Sequence, residues 1–376
     1  MMFFRTRPAT LLFSTLFLAA CDPSDTPKVE KAVSDLEKEI QQKAAKPDIS
    51  PTPPPGILAA SGLAASSLAA KDERAAIILL QPDARIAMQE FQRNGLAMLV
   101  GRQAGYQLTS QDAAGSSAKQ VEQFRQAISA KPSAIIVSPI DPPALAALIV
   151  EAQTHGIIVI GLDKRMLNEG CTSIVFSDQR RLGRMAADTV LEALKRKAAE
   201  EGRTDITGRV VQLRGVTDSY PTNEIAEGFN EGLHTQPGVI LVHDAAADWN
   251  TENATKRTTE AFNLQKNFDA IYAHSDAIAI GAAKAAETAG QRENVFIVGT
   301  DGLAGQKRGL ELVRLGEIDA TIVQPALVDL ALQIIVKLRS DKTFKPQPSY
   351  EIQPMVTLPK NVEHSLRVGT YKLPQL

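Results

Sequence analysis

The chain has 376 residues, enough for two domains that each bury a core of their own. Lysine and arginine number 41 against 43 aspartates and glutamates, a formal charge of −2, which excludes the basic excess of a nucleic-acid-binding surface. With only two cysteines, Cys21 and Cys171, and five scattered histidines, neither a disulfide framework nor a cysteine metal site is expected.

Residues 1–20 read as a processing segment. Arg5 and Arg7 give a positive start, and the apolar run from Leu11 to Ala20 is too short to span a bilayer. Leu18-Ala19-Ala20-Cys21 then resembles a bacterial lipobox, which implies a lipoprotein signal peptide cleaved before Cys21 and lipidation of its sulfur. Asp22 resembles the signal that keeps such lipoproteins at the inner membrane of some bacteria. Residues 21–73 follow as a tether. Val29, Val33, Leu36 and Ile40 mark a short amphipathic helix, and Pro51 to Gly56 a stiff extended spacer.

From Ala75 the texture becomes a regular alternation of apolar strands and helices. Strands are expected at 75–80, 106–109, 134–137 and 157–161, then, after a break at 171–179 and a long helix, at 210–213, 239–242, 270–273, 295–299 and 320–323. Such a βαβ series forms parallel sheets with right-handed crossovers. Two successive series fit an α/β protein of two doubly wound lobes better than one nine-stranded sheet.

Several of these strands end in charge. Ile157-Ile158-Val159-Ile160-Gly161-Leu162 runs into Asp163-Lys164-Arg165, and the later strands run into His274-Ser275-Asp276 and Thr300-Asp301-Gly302. The carboxyl edge of an open α/β sheet is where ligands bind, because its loops vary while the sheet stays rigid. Three aspartates at such ends predict a polar, hydroxyl-binding cleft. Paired carboxylates also serve glycoside hydrolysis, yet no glycine-rich phosphate loop, His-Glu-x-x-His pair or nucleophile elbow accompanies them, so no enzyme is expected. No metal or organic cofactor is indicated.

Seven segments occur in a telling order: Ile135 to Asp141, Val159 to Asp163, Phe176 to Gln179, Ala226 to Phe229, His274 to Ala282, Val298 to Gly302 and Ala320 to Gln324. With them, residues 75–355 resemble the periplasmic sugar-binding proteins of the ribose- and galactose-binding type, whose fold is shared by the ligand-binding half of LacI-type repressors. The resemblance implies a type I periplasmic binding protein, with two lobes closing over a small ligand about a hinge crossed three times. The crossings are expected near Asp178, near Gln324-Pro325 and at 353–355, which puts 74–178 and 325–353 in the N-terminal lobe, and 179–324 and 354–376 in the C-terminal lobe. It further implies a periplasmic, lipid-anchored protein that delivers a sugar to the permease of an ABC importer. The same domain also serves sensory receptors that signal to a transmembrane kinase or chemoreceptor. A repressor is disfavoured because no helix-turn-helix precedes the first strand.

The resemblance carries ligand roles to particular residues. Asp163 matches an aspartate that accepts bonds from two sugar hydroxyls, a task suited to a carboxylate with acceptor lone pairs alone. Lys164 stands where an arginine usually follows, with Arg165 as its substitute if the loop shifts by one residue. Asn223 falls at a second arginine of ribose binders and either binds a hydroxyl or caps a helix. Trp249, the single tryptophan, matches an aromatic that stacks on the sugar's apolar face. Ser275 stands at a family asparagine; of Ser275 and Asp276, one is expected to cap the helix and the other to face the ligand. Asp301 and Gln324 match a binding aspartate and a hinge glutamine. The first-lobe loop departs from the family's Asn-Pro-Phe-Phe, reading Gln81-Pro82-Asp83-Ala84-Arg85 with no aromatic before Phe91. Asp83 and Arg85 are the candidates there, and the ligand is expected to be a sugar, a polyol or a modified, partly charged relative. His155 is expected to end a helix, His274 to pack, and Cys171 to be a structural thiol.

Overall fold

In the computed structural model, residues 74–376 are described, apart from Lys266, Gly369 and Thr370. The expected signal peptide, Cys21 and the tether lie outside the described residues. Each run of buried β-branched residues forms a strand. The first series gives β1 (Ala75–Gln81), β2 (Tyr106–Asp112), β3 (Ala134–Val137), β4 (Ile158–Gly161) and β5 (Ser173–Phe176). The second gives β6 (Gly208–Arg214), β7 (Val239–Ala246), β8 (Ala270–Ala273), β9 (Phe296–Asp301) and β10 (Ala320–Val323). Two short strands close the set, β11 (Ser349–Glu351) and β12 (Met355–Thr357).

These strands form two six-stranded sheets, β11-β5-β4-β3-β1-β2 and β12-β10-β9-β8-β6-β7. Leaving out the edge strands β11 and β12, the two orders are the same pattern displaced by five strands. All pairings are parallel except that of β12, which runs antiparallel to β10. The expected architecture of two α/β lobes is therefore present. The segment read as a break is itself a strand, the fully buried Ser173-Ile174-Val175-Phe176, whose four residues are too short a run to separate from loop by pattern alone.

The helices are α1 (Ala87–Gly101), α2 (Ser117–Ser129), α3 (Pro142–Thr154), α4 (Gln179–Glu200), α5 (Tyr220–Leu233), α6 (Thr251–Gln265), α7 (Asp276–Thr288), α8 (Gly309–Leu315), α9 (Val328–Ser340) and α10 (Val362–Val368). None of the described helices is long and apolar enough to cross a membrane. The placement of α4 and α5 matters for the site. A Cβ added at Gly183 would lie 1.9 Å from the Ile225 carbonyl oxygen, and one at Gly228 would lie 1.9 Å from that of Arg180. The two backbones touch at glycine, which fixes where the amino end of α5 presents Tyr220.

The chain passes between the sheets after β5, after β10 and between β11 and β12. After β10 it turns through Leu327, a non-glycine residue at φ 67°, into α9, which packs on α1. The last residues return to the same place. The Tyr371 hydroxyl donates to Asp329 at 2.8 Å and accepts from the Ala326 amide, while Lys337 Nζ reaches the Leu376 carbonyl at 2.7 Å. Of the segment 354–376 expected in the second lobe, β12 joins that sheet and α10 packs on α8, while the last residues lie along α9.

Candidate functional site

In each sheet the first strand of its series is flanked by the second and the third, so neighbouring connections leave in opposite directions there. A crevice opens at such a switch point, outside the carboxyl ends of the strands. In the first lobe those ends carry Asp83 and Arg85 after β1, Pro139 and Ile140 after β3, and Asp163 to Arg165 after β4. In the second they carry Gly215 to Tyr220 after β6, Trp249 after β7, Ser275 after β8, Asp301 at the end of β9 and Gln324 after β10.

The loop after β4 settles which cation stands beside Asp163. Lys164 turns away to pair with Asp178 at 2.6 Å, at the first crossing, and that bond raises the lysine's pKa. Of the two alternatives left open by the sequence, Lys164 is therefore not the cation beside Asp163. Arg165 takes that place, because a short 3-10 turn brings its backbone amide to Asp163 Oδ1 at 2.8 Å and folds its side chain back on the same carboxylate. Its Nη2 lies 2.8 Å from Asp163 Oδ2 and also donates to the Pro139 carbonyl at 3.1 Å, and its Nη1 donates to the Ile140 carbonyl at 3.3 Å. The planar fork of arginine makes this possible where a lysine could supply only a point charge. The other first-lobe candidates satisfy each other. Arg85 donates to both carboxylate oxygens of Asp83, which holds that carboxyl below its usual range, and Arg85 is largely in solvent.

The second-lobe groups are more deeply set. Trp249 sits at φ 58°, half-buried, with its ring laid on Gly215; a Cβ there would lie 2.0 Å from the Trp249 Cζ2. Beneath it His274 is 1% exposed, with ring centroids 6.4 Å apart, and burial pushes its pKa down to about 3, so it is neutral. The expected packing role of His274 is the one observed. Ser275 Oγ accepts from the Ile278 amide at 3.2 Å and caps α7. Its neighbour does not open toward a ligand. Asp276 is 4% exposed and accepts from the Thr321 hydroxyl at 2.7 Å and the Gly302 amide at 2.8 Å. Asp301 stands beside it, 7% exposed, at the strained φ of 105°. Burial raises both carboxyls, Asp276 to about 7 and Asp301 also through the charge of Asp276, so the pair holds its protons more firmly than free carboxyls do. A protonated carboxyl can donate as well as accept.

Asn223 is exposed one turn inside α5, while Ser219 takes the cap position, so the helix-cap alternative for Asn223 falls away. The Gln324 backbone N–H donates to the Asp301 backbone carbonyl at 3.0 Å, and both residues line a cavity of about 10 Å³, room for one water, together with Phe91 of α1 and Tyr371. Three side chains without a role assigned from the sequence stand out: Phe91, which lines this cavity, Tyr220, whose ring lies against the Arg165 guanidinium, and Arg308, whose Nη2 meets Glu90 of α1 at 2.9 Å. The gap noted at the first-lobe aromatic position was the signal for Phe91. Tyr220 and Arg308 lack one, since their meaning lies in contacts across the lobes.

A wider groove of about 480 Å³ lies at the opposite, amino edge of the second sheet, between the end of α4 and the starts of β8 and β9. Two of its cations are answered within it, Lys197 by Asp269 at 2.6 Å and Arg292 by Asp319 at 3.2 Å. Among the described residues no cluster of three or more histidine, cysteine or carboxylate groups is set to hold a metal ion. Cys171 is half-buried beside Gly161, and burial pushes its thiol up to about 12, as suits a structural thiol.

This arrangement agrees with comparisons to known proteins. A family model for a periplasmic binding protein domain matches residues 78–340. The ribose import binding protein of Bacillus subtilis is 24% identical over 265 residues, covering 70% of this chain and 78% of its own length. That of Escherichia coli is 26% identical over 220 residues, covering 58% and 69%. Among solved structures, the fructose-binding periplasmic domain of a hybrid two-component system aligns with a TM-score of 0.66 at 25% identity, over 78% of this chain and 93% of that one. The myo-inositol-binding protein of Caulobacter, bound to myo-inositol, aligns with a TM-score of 0.67 at 22% identity, over 80% and 99%, which bears on fold alone. With its two lobes of shared strand order and this match over most of its length, the chain belongs to the periplasmic binding protein family.

Proposed function

We propose that the protein is an extracytoplasmic solute-binding lipoprotein that captures a sugar or sugar-like ligand between its lobes and delivers it to the permease of an ABC importer. The observation that carries this reading is the meeting of hydrogen-bonding groups and aromatic rings at the carboxyl edges of two matching sheets. Asp163, Arg165, Asp301 and Gln324 offer acceptors and donors for hydroxyls, and Trp249 offers a face for the apolar side of a ring. Ser275 and Asn223 add a hydroxyl and an amide at the same edge. A ligand that touches both lobes favours the closed form by its differential affinity for it. Ribose import relatives support the sugar class and the importer, and the lipobox supports an anchor at Cys21, held at the inner membrane by Asp22.

A second reading, a receptor domain signalling to a transmembrane kinase, is favoured by the likeness to the fructose-binding domain of a hybrid two-component system. Both readings require ligand capture. The test is titration of the full-length chain with D-ribose, D-allose, D-fructose, myo-inositol and D-glucuronate, following Trp249 emission and melting temperature. One compound class is expected to saturate the signal and raise the melting temperature. If none of the five does either, the sugar reading fails.

A further inference from the structure

The Arg165 guanidinium is fastened on its edges and covered on one face. Four of its five N–H groups are used, on Asp163, Pro139 and Ile140, all in the first lobe. Its face lies against the ring of Tyr220, with Cζ 4.3 Å from the centroid. Tyr220 begins α5 in the second lobe, where the glycine contacts with α4 fix its position. The stack is therefore a contact across the cleft between two held groups, one of them in the polar constellation proposed to meet the ligand. Cation–π attraction is strongest where the pair is partly shielded from water, as both residues are here.

We propose that Tyr220 is a positioning residue for that ligand site: when the lobes close, its ring seats the Arg165 guanidinium and with it the Asp163 carboxylate. The proposal rests on the reading of the cleft as a sugar site. Closure and the setting of the first-lobe hydrogen-bonding groups become one event, and the ring takes up on the second lobe part of the work that aromatics perform in the family's first-lobe loop. Among the described residues one Arg165 N–H in this seat, at Nη1, has no protein acceptor, which points to a ligand oxygen as its partner. Because the four other donors are occupied by protein, a ligand with an acceptor at that point is favoured over one presenting a donor. The ring stays a neutral phenol, since burial and the nearby charges of Asp163 and Glu224 push its hydroxyl up to about 12.

The experiment uses the full-length chain with Tyr220→Ala, Tyr220→Phe and Arg165→Lys. In the ligand-free state, Tyr220→Ala is expected to have a larger radius of gyration by X-ray scattering than wild type, and Tyr220→Phe the wild-type value. Against whichever of D-ribose, D-allose, D-fructose and myo-inositol the wild type binds, Tyr220→Ala should lose about tenfold in affinity, mostly as faster dissociation, and Tyr220→Phe less than about twofold. Arg165→Lys should fall with Tyr220→Ala, and the double variant should lose no more than either. The proposal is overturned if Tyr220→Ala matches wild type in both measurements, or if Tyr220→Phe falls as far as alanine, which would put the effect on the hydroxyl. If the wild type binds no sugar, the sugar reading fails while the scattering result still decides whether the stack holds the lobes together.

Discussion

The two lobes share a strand order and differ in how they hold their polar groups. In the first lobe two charged pairs at the sheet edge face water, Asp83 with Arg85 and Lys164 with Asp178, their cations 80% and 45% exposed. In the second, Asp276, Asp301, His274 and Ser275 are buried and held by hydroxyls, backbone amides and aromatic rings. The contrast teaches that one topology can carry a set half and an adjustable half. Side-chain pairs near water exchange partners at small cost, whereas a buried acceptor cannot lose its donors without a large one.

The largest expected effect breaks the set half. Asp276→Ala leaves the Thr321 hydroxyl and the Gly302 amide without their buried acceptor, which costs about 2–4 kcal/mol in urea unfolding. A loss below about 0.5 kcal/mol would remove the contrast between lobes. Next comes a pH effect at the crossing between them. Asp329 is fully buried and its carboxyl is raised to about 6 from the ordinary 3.8. The folded chain therefore binds that proton more tightly than the unfolded one. Its stabilisation is complete below pH 4 and is lost as pH rises through about 6, a share of about 2–3 kcal/mol that Asp329→Asn should remove from the pH profile, while the decline that the raised Asp276 and Asp301 carboxyls contribute stays.

Smaller again is Gly215→Val, which forces the Trp249 ring from its seat. It should move the tryptophan emission and weaken ligand binding about tenfold, with little change in m-value. Smallest is Arg85→Ala in the adjustable half. Its side chain is 80% exposed, so the melting temperature should stay at the wild-type value, and a marked fall would show that the loop after β1 is not an adjustable surface.

The β-branched runs made most strands legible, because a doubly covered parallel strand writes itself as continuous apolar sequence. The edge strands β11 and β12, three residues each, have no such signature. The position of a candidate was legible where it follows from the end of a strand, as for Asp301 and Gln324. It was not legible where the role depends on which way a loop turns. Nothing in Asp163-Lys164-Arg165 says that the lysine faces the crossing and the arginine the cleft; a single 3-10 turn decides it. Contacts between lobes, such as Arg165 with Tyr220 and Glu90 with Arg308, join residues 55 and 218 apart, beyond the reach of any local pattern.

The central claim is that both lobes close on one ligand at the carboxyl edges of their sheets. Hydrogen exchange of the full-length chain, with and without a saturating sugar, tests it most directly. The account predicts slower exchange in 138–141 and 163–168 of the first lobe together with 215–223 and 300–304 of the second. Protection confined to one lobe, or found instead at the amino-edge groove between 193 and 201 and 292 and 296, would contradict it.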